Sequence, residues 1–518
     1  MRGPYTLWIL AVLVIASLGA GPREASLVET LRAGDTKAAR ALLQQGADVN
    51  APAVDGTSPL HWAVHHDDAV LVDTLLRAGA RANVSNRYGV SPISLAATNG
   101  NASIIQRLLQ AGADPNSAMP GGETVLMTAA RTGVVDAVKV LIAGGAAVNA
   151  KEQTRGQTAL MWAAAHNNTA VIRALAQAGA DVHARSKEPH FQQGWLVGNG
   201  AGPLPTEEQI EFTALLFAVR EGHIEAVRAL LDSGANVNET APNGTTALLL
   251  ATMNNHWQLS AFLLDRGADP NAATRGWTAL HQVARSRAPS SGGIPPPVET
   301  GRLTSLQLAG KLLDHGANIN ARMTKEIIDG NRNGLAGMGA TPFLLAAKGV
   351  DMALMRVLLA RGADPTLSNV NGTTPLLAAA GVELAAQGHD PGTPEEALIA
   401  TKFLFEIGAG DALTANRDGE TALHGAAYRG ANPLVEYLVA KGAKLEARTS
   451  RSSETRRGDL QTGLIALDYA IGRKVQSTVR AQPHTVALLV KLMKERGLPI
   501  DEASLDPTSP TLISTTTR

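Results

Sequence analysis

The sequence predicts an all-α solenoid in which pairs of short helices stack one after another. Two linked motifs recur along the chain at a spacing of about 33 residues, which is the signature of a repeat architecture. Only 3% of the residues are aromatic although 45% are hydrophobic, so the core must consist mainly of Leu, Ala, Val and Ile. A chain of 518 residues is also too long for one compact core. A repeat array accounts for both the length and the composition.

The first motif opens each repeat and reads GTSPLHWAV from Gly56. Further copies begin at Gly89, Gly122, Gly156, Gly244, Gly276, Gly339, Gly372 and Gly419, with degenerate copies from Glu211 and Gly463. The second motif, LLxxGA, closes each repeat, and its glycines are Gly46, Gly79, Gly112, Gly145, Gly179, Gly234, Gly267, Gly316, Gly362, Gly408, Gly442 and, weakly, Gly497. Six neighbouring pairs of these glycines are 33 or 34 residues apart and the others 46 to 55. One unit interrupted by loop insertions explains every gap.

Each repeat predicts two helices. Ser58, or Thr in other copies, is suited to cap the first helix, and Pro59 fits a first turn that needs no amide donor. The first helix presents an apolar face formed by Leu60, Ala63 and Val64. The second helix is expected to present an opposing stripe formed by Val70, Val72, Leu75 and Leu76. Gly79 is expected to end it in the left-handed conformation.

These motifs resemble the ankyrin repeat, whose signature is Gly-x-Thr-Pro-Leu-His followed by two antiparallel helices and a Gly-Ala-Asp-x-Asn exit. The resemblance covers residues 26–500 and implies an ankyrin-repeat α-solenoid with short β-hairpin-like connecting loops and about 12 repeats, caps included. Residues 26–55 are expected to be the N-terminal capping repeat, ordinary repeats to begin at 56, and residues 463–500 to form the C-terminal cap. Residues 1–25 are expected to be a signal peptide and residues 501–518 a disordered tail.

Composition and motifs exclude several functions. With 46 basic and 46 acidic residues the formal charge is zero, so nothing favours nucleic acid as a partner. The chain has no cysteine, which excludes disulfides and thiolate chemistry. It also has no HExxH zinc motif, no GxSxG elbow and no domain-sized segment outside the repeats. We therefore expect no catalytic residues, no metal and no cofactor.

The N-terminus resembles a secretory signal peptide. A single basic residue is followed by 14 uncharged residues from Leu7 to Ala20, fewer than the roughly 20 of a membrane span. Leu18 departs from the best Ala-x-Ala cleavage pattern, so an uncleaved membrane anchor remains the alternative. The Ala-, Gly- and Arg-rich composition is typical of bacterial proteins. The expected location is secreted or periplasmic, and no membrane contact is expected unless this segment is retained.

Three histidines cluster at His61, His65 and His66, next to two aspartates. The resemblance implies that His61, like His281 and His424, is the signature histidine with a structural hydrogen-bonding role. His65 and His66 are expected to face solvent. The alternative is a zinc site, because His61 and His65 are four residues apart and Asp67 or Asp68 could supply a third ligand.

The loop insertions are the other candidates for chemistry. The first carries Phe191, Trp195 and Leu196, which either fold back on the array or anchor a partner. Asp329, Asn331, Asn333 and Gly334 match part of a calcium loop, but Ala340 replaces the bidentate glutamate, so a turn-rich loop is expected. An enzyme or metal site built by the insertions remains the less favoured alternative to a binding role.

The predicted function is a non-catalytic scaffold, expected to be monomeric, that binds a protein. In this family the partner usually lies against the concave side, formed by the hairpin tips and exposed first-helix positions. The resemblance places on that side Trp62, His65, His66, Trp162, His166, Phe217, Arg220, Met253, Asn254, Tyr428 and Arg429. The alternative for Trp62, Trp162 and Phe217 is that they cover neighbouring repeats as core.

Overall fold

The secondary structure is helical throughout the described part of the chain. A computed structural model describes residues 26–187, 211–287, 301–326, 335, 337–384, 391–450, 463–472, 481–500 and 505. These residues contain 24 helices and three isolated antiparallel bridges, at Ala118–Thr124, Thr240–Thr246 and Ala415–Thr421. Each bridge lies directly before a helix, where the sequence predicts a hairpin-like loop. The predicted all-α solenoid with such loops is confirmed.

The chain divides into two compact units. The first contains the described residues up to Thr154, together with Thr158–Ala163 and Ala174–Ala180. Its helices are α1 (Leu27–Arg32), α2 (Thr36–Gln44), α3 (Pro59–His65), α4 (Ala69–Arg77), α5 (Pro92–Asn99), α6 (Ala102–Gln110), α7 (Val125–Thr132) and α8 (Val135–Ala143). Two further helices, α9 (Ala159–Ala165) and α10 (Thr169–Gln177), have residues in both units.

The second unit contains Arg155–Gln157, Ala164–Arg173 and the described residues from Asp181 onwards. Its helices are α11 (Ala214–Arg220), α12 (Ile224–Asp232), α13 (Ala247–Met253), α14 (Trp257–Asp265), α15 (Ala279–Ser286), α16 (Ser305–Asp314), α17 (Pro342–Lys348), α18 (Met352–Ala360), α19 (Pro375–Ala380), α20 (Pro394–Glu406), α21 (Ala422–Arg429), α22 (Asn432–Ala440), α23 (Ala466–Ile471) and α24 (Pro483–Glu495). In both units the odd-numbered helices are the first helices of the repeats and the even-numbered ones the second helices.

Local signals in the sequence set the helix ends. Pro59 occupies the first turn of α3, as predicted. Asp68 caps α4 by accepting hydrogen bonds from the backbone N–H groups of Val70 and Leu71. Gly79, just past the end of α4, has φ of +90°, the left-handed conformation that was predicted for it.

The predicted stripe of the second helix is wrong in part. Val70 is 62% exposed, whereas Leu71, Val72 and Leu75 are fully buried. Leu75 lies four residues after Leu71 and three after Val72, so helical spacing places these three side chains on one face and Val70 on another. The core stripe of α4 therefore runs through Leu71, Val72 and Leu75.

Consecutive helix pairs pack in the way expected of a stacked array. In the first unit α3 packs against α4 and α5, and α5 packs against α6 and α7. In the second unit successive first helices from α11 to α23 contact one another in the same way. A helix pair cannot bury its apolar face alone, so each interface between neighbours completes the core of the next repeat.

An asparagine ladder joins the repeat ends. Asn116 donates through Nδ2 to the carbonyl of Gly145 at 3.2 Å and accepts through Oδ1 from the N–H of Ala147 at 2.7 Å. Asn271 makes the equivalent pair of bonds with Gly316 and Asn318 at 2.9 and 2.6 Å. Asn50 and Asn238 repeat the pattern. In these four repeats the Asn of the exit motif thus fixes one loop to the next.

Several predicted features lie outside the described residues. They are the signal peptide at 1–25, the aromatic residues Phe191, Trp195 and Leu196, the partial calcium loop at Asp329, Asn331, Asn333 and Gly334, and the tail at 501–518 apart from residue 505. The predicted N-terminal cap at 26–55 contains α1 and α2, and the predicted C-terminal cap at 463–500 contains α23 and α24. The domain boundaries stay predictions.

Candidate functional site

The signature histidines are structural. In α3 the Nδ1 atom of His61 accepts from the backbone N–H of Ser58 at 3.1 Å and lies 2.7 Å from the Ser58 hydroxyl. Its Nε2 donates to the carbonyl of Val90, in the next repeat, at 2.9 Å. His281 and His424 make the same two kinds of bond. Both ring nitrogens of His61 are engaged, so His61 cannot join His65 in the alternative zinc site.

Burial keeps His61 and His281 neutral. Burial lowers the pKa of His61, and the hydrogen bond to the carbonyl of Val90 raises it by a smaller amount. His281 is fully buried, and burial lowers its pKa to about 4. A neutral imidazole leaves Nδ1 free to accept, which is what the cap of the first helix requires.

The first helices present a recurrent surface, which we call the first-helix surface. It consists of the fourth, seventh and eighth positions counted from the start of each first helix, such as Trp62, His65 and His66 at α3. The three rings of that triplet form one cluster. Trp62 and His65 meet edge to face with centroids 5.5 Å apart, and Trp62 and His66 stack at 6.1 Å. Trp62 is half-buried and both histidines are exposed, as was predicted for the histidines.

His66 is also anchored to the preceding repeat. Its Nε2 donates to the carbonyl of Leu31 at 2.9 Å, while the ring stays accessible. The triplet Trp62, His65 and His66 is therefore a fixed aromatic platform rather than three independent side chains. Fixed aromatic rings lose little entropy on binding and are frequent energetic centres of protein interfaces.

Trp162 repeats the arrangement with a cation. The side chain is half-buried at the fourth position of α9, and the guanidinium of Arg131, exposed at the seventh position of α7, lies 5.0 Å from its ring centroid. Arg131 was not among the predicted site residues. Its sequence signal was available, because Arg131 occupies in its own repeat the position that His65 occupies in α3.

Two predicted surface residues are wrong in their exposure. Phe217 is 7% exposed because the ring of Phe212 packs on its edge at 5.6 Å and the guanidinium of Arg220 lies 5.2 Å from its centroid. Tyr428 is 1% exposed. Phe217 therefore follows the core alternative, and neither aromatic ring is accessible to a partner.

The other predicted residues remain accessible to different degrees. His166 and Arg220 are exposed, whereas Met253, Asn254 and Arg429 are half-buried. Arg220 pairs with the carboxylate of Glu221 at 2.8 Å. Arg429 donates to the carbonyls of Pro391 and Gly392 at 3.3 and 3.0 Å, so its guanidinium supports the loop before α20. The binding roles of all eleven predicted residues stay predictions.

The family can now be assigned. A family model described as ankyrin repeats (3 copies) matches residues 27–119, 93–186, 195–274, 215–291 and 343–449, which together cover well over half of the chain. The chain belongs to the ankyrin-repeat family. Among solved structures, the crystal structure of the human ASB11 ankyrin repeat domain is similar, with 24% sequence identity and a TM-score of 0.38 over 48% of this chain and 100% of that chain. A search of curated proteins gives no match.

Ankyrin repeats generally mediate protein–protein interaction, and the family is generally non-enzymatic. Within the described ranges of this ankyrin-repeat chain, no group of three His, Asp or Glu side chains is placed to hold a metal ion. No helix of that same part is both long and apolar enough to cross a membrane.

Proposed function

We propose that this ankyrin-repeat chain is a non-catalytic scaffold that binds a protein partner through its first-helix surface. The aromatic platform of Trp62, His65 and His66 is the observation that carries the proposal. It is accessible, and it is held in place by ring contacts and a hydrogen bond to Leu31. We further propose a monomer of about 12 repeats, caps included.

The binding proposal is tested with the full chain and matched variants. Trp62→Ala combined with His65→Ala should weaken capture of the partner from the source material at least tenfold, because truncating an aromatic hot spot costs on the order of 2 kcal/mol or more. Val70→Ala is the control, since Val70 is exposed on a second helix. The readout is quantitative mass spectrometry of the captured proteins.

Thermal unfolding and circular dichroism must first show that each variant is folded. A protein retained by the wild type and by Val70→Ala, and lost in the folded double variant, supports the platform as the binding site. Equal retention by all three chains would contradict it. The single variant His65→Ala repeats the test with less risk to packing, because the side chain of His65 is exposed.

We also propose that the chain leaves the cytoplasm and is secreted or periplasmic. Support comes from the uncharged stretch from Leu7 to Ala20 and from the small residues within Ser17–Gly21, which offer cleavage positions. The mature N-terminus, measured by intact mass after expression in a bacterial host, should lie between residues 20 and 26. A chain that keeps residues 1–25 and sediments with membranes would contradict cleavage and support the anchored alternative.

A further inference from the structure

The first-helix surface is covered in one part of the second unit. At the seventh position, His65, Thr98, Arg131, Arg220, Met253 and Arg285 are exposed or half-buried. The equivalent residues of α17 and α21, Lys348 and Tyr428, are only 5% and 1% exposed. Between them, the fourth and seventh positions of α19, Ala378 and Gly381, are buried as well. We call these positions of α17, α19 and α21 the covered face.

The segment Val382–Leu384 lies on the covered face. The chain turns sharply after α19, with φ of +112° at Gly381 and +60° at Glu383. Val382 and Leu384 are fully buried. A Cβ atom on Gly425, at the fourth position of α21, would lie 2.5 Å from the backbone nitrogen of Val382. The backbone of the segment therefore rests directly on α21, at the place where α3 and α9 carry tryptophan.

The glutamate of this segment is recognised by three donors. Its carboxylate accepts from the Nδ2 atoms of Asn369 at 3.0 Å and Asn371 at 2.7 Å. Its backbone carbonyl accepts from Nζ of Lys348 at 2.8 Å. Asn369 is itself held, because its Oδ1 accepts from the N–H groups of Asn371 and Thr373. Hydrogen bonds with a charged partner are stronger than neutral ones, so this arrangement is selective for a carboxylate.

The path of the chain shows that these contacts are not imposed by connectivity. In most other repeats only two or three residues join the two helices, as between Asn99 and Ala102 or between Lys348 and Met352. Here Glu383 follows the end of α19, but its carboxylate contacts Asn369 and Asn371, which precede the start of that helix. A loop that only had to connect α19 to Pro394, the first residue of α20, would not need to contact Asn369 and Asn371.

We propose that the covered face and the loop at Asn369–Asn371 form a binding site for a short turn segment of the type apolar–Glu–apolar. Val382–Glu383–Leu384 occupies this site as an intramolecular ligand. A partner must displace this segment with one of the same chemistry in order to bind there. The inference goes beyond the proposed function, because it concerns a different part of the first-helix surface and holds whether or not the Trp62 platform binds a protein.

A peptide tests the site in trans. The probe is a fluorescein-labelled peptide with the sequence of residues 379–388, AAGVELAAQG, and the control peptide has Ala in place of its Glu. Fluorescence anisotropy is measured with the full-length wild type, Glu383→Ala and Glu395→Ala. Glu395 is a matched control, since it is an exposed carboxylate at the start of α20.

The expected result is that Glu383→Ala binds the Glu peptide at least tenfold more tightly than it binds the Ala peptide, and at least tenfold more tightly than the wild type or Glu395→Ala does. A folded Glu383→Ala chain that does not discriminate between the peptides would overturn the proposal.

A second variant keeps the proposal testable if Glu383→Ala does not fold. Asn371→Asp replaces a donor to the Glu383 carboxylate by a second carboxylate, and Asn371 is half-buried. Like charges this close repel, so the segment should leave the covered face. Hydrogen exchange of the Val382, Glu383 and Leu384 amides, followed by mass spectrometry, should accelerate at least tenfold. Unchanged exchange in the folded variant would overturn the proposal.

Discussion

His281→Ala is expected to lower the free energy of unfolding of the second unit by about 2–4 kcal/mol, because the substitution leaves buried polar groups without partners. The Nδ1 atom of His281 accepts from the backbone N–H of Thr278 at 3.2 Å, and Nε2 donates to the carbonyls of Ala321 and Ala340 at 3.1 and 3.2 Å. The imidazole is fully buried. Urea unfolding followed by circular dichroism measures the loss.

Two controls separate this effect from the general cost of removing a histidine. His65→Ala, on the exposed first-helix surface, should change the free energy of unfolding by less than about 0.5 kcal/mol. His281→Asn can still accept the N–H of Thr278 but is too short to reach Ala340, so its loss should be intermediate. A loss below about 1 kcal/mol for His281→Ala would show that the inter-repeat bonds of this histidine contribute little.

Acid is expected to destabilise the chain through its buried histidines. Burial lowers the pKa of His281 from 6.5 to about 4, and it lowers the pKa of His61 in the same direction. Between pH 6.5 and 4 the unfolded chain therefore binds more protons than the folded chain. The stability contributed by neutral His281 is complete above pH 6.5 and is lost progressively as the pH falls towards 4, by up to about 1.4 kcal/mol per pH unit.

The measurement is the free energy of unfolding at a series of pH values from 7.5 to 4.5. In the lower half of this range, the free energy of unfolding should fall more steeply with decreasing pH in the wild type than in His281→Asn, by up to about 1.4 kcal/mol per pH unit. The variant lacks the titrating imidazole. The free energy of unfolding should depend even less on pH in a double variant that adds His61→Asn. Identical slopes in the wild type and the single variant would contradict the assigned direction of the His281 pKa shift.

The repeat motifs made the fold predictable, because each local signal in the sequence agrees with the tertiary packing of the residues that carry it. Pro59, Gly79 and the signature histidines were predicted to act through caps, turns and hydrogen bonds, and the structure confirms each of these roles. Val70 was placed wrongly because it is two, five and six residues from the other members of the predicted stripe rather than three or four, so it lies on another face of the helix.

The surface was harder to predict, since exposure depends on what packs over a position. Phe217 and Tyr428 occupy positions equivalent to Trp62 and His65, yet both are buried. The sequence gives no sign that Phe212 and Arg220 cover Phe217. Gly425 does carry a signal, because glycine at a fourth position that elsewhere holds tryptophan indicates close approach of another backbone.

The asparagine ladder makes loop length and repeat spacing independent of each other. Asn116 and Gly145 are separated by 29 residues of chain, and Asn271 and Gly316 by 45, yet both pairs form the same contact. Extra residues between the two helices of a repeat thus take no part in the ladder. They cost only the entropy of closing a longer loop, which grows slowly with loop length. The connection between α15 and α16 can therefore be lengthened between Arg287 and Gly301 without changing the contact of Asn271 with Gly316.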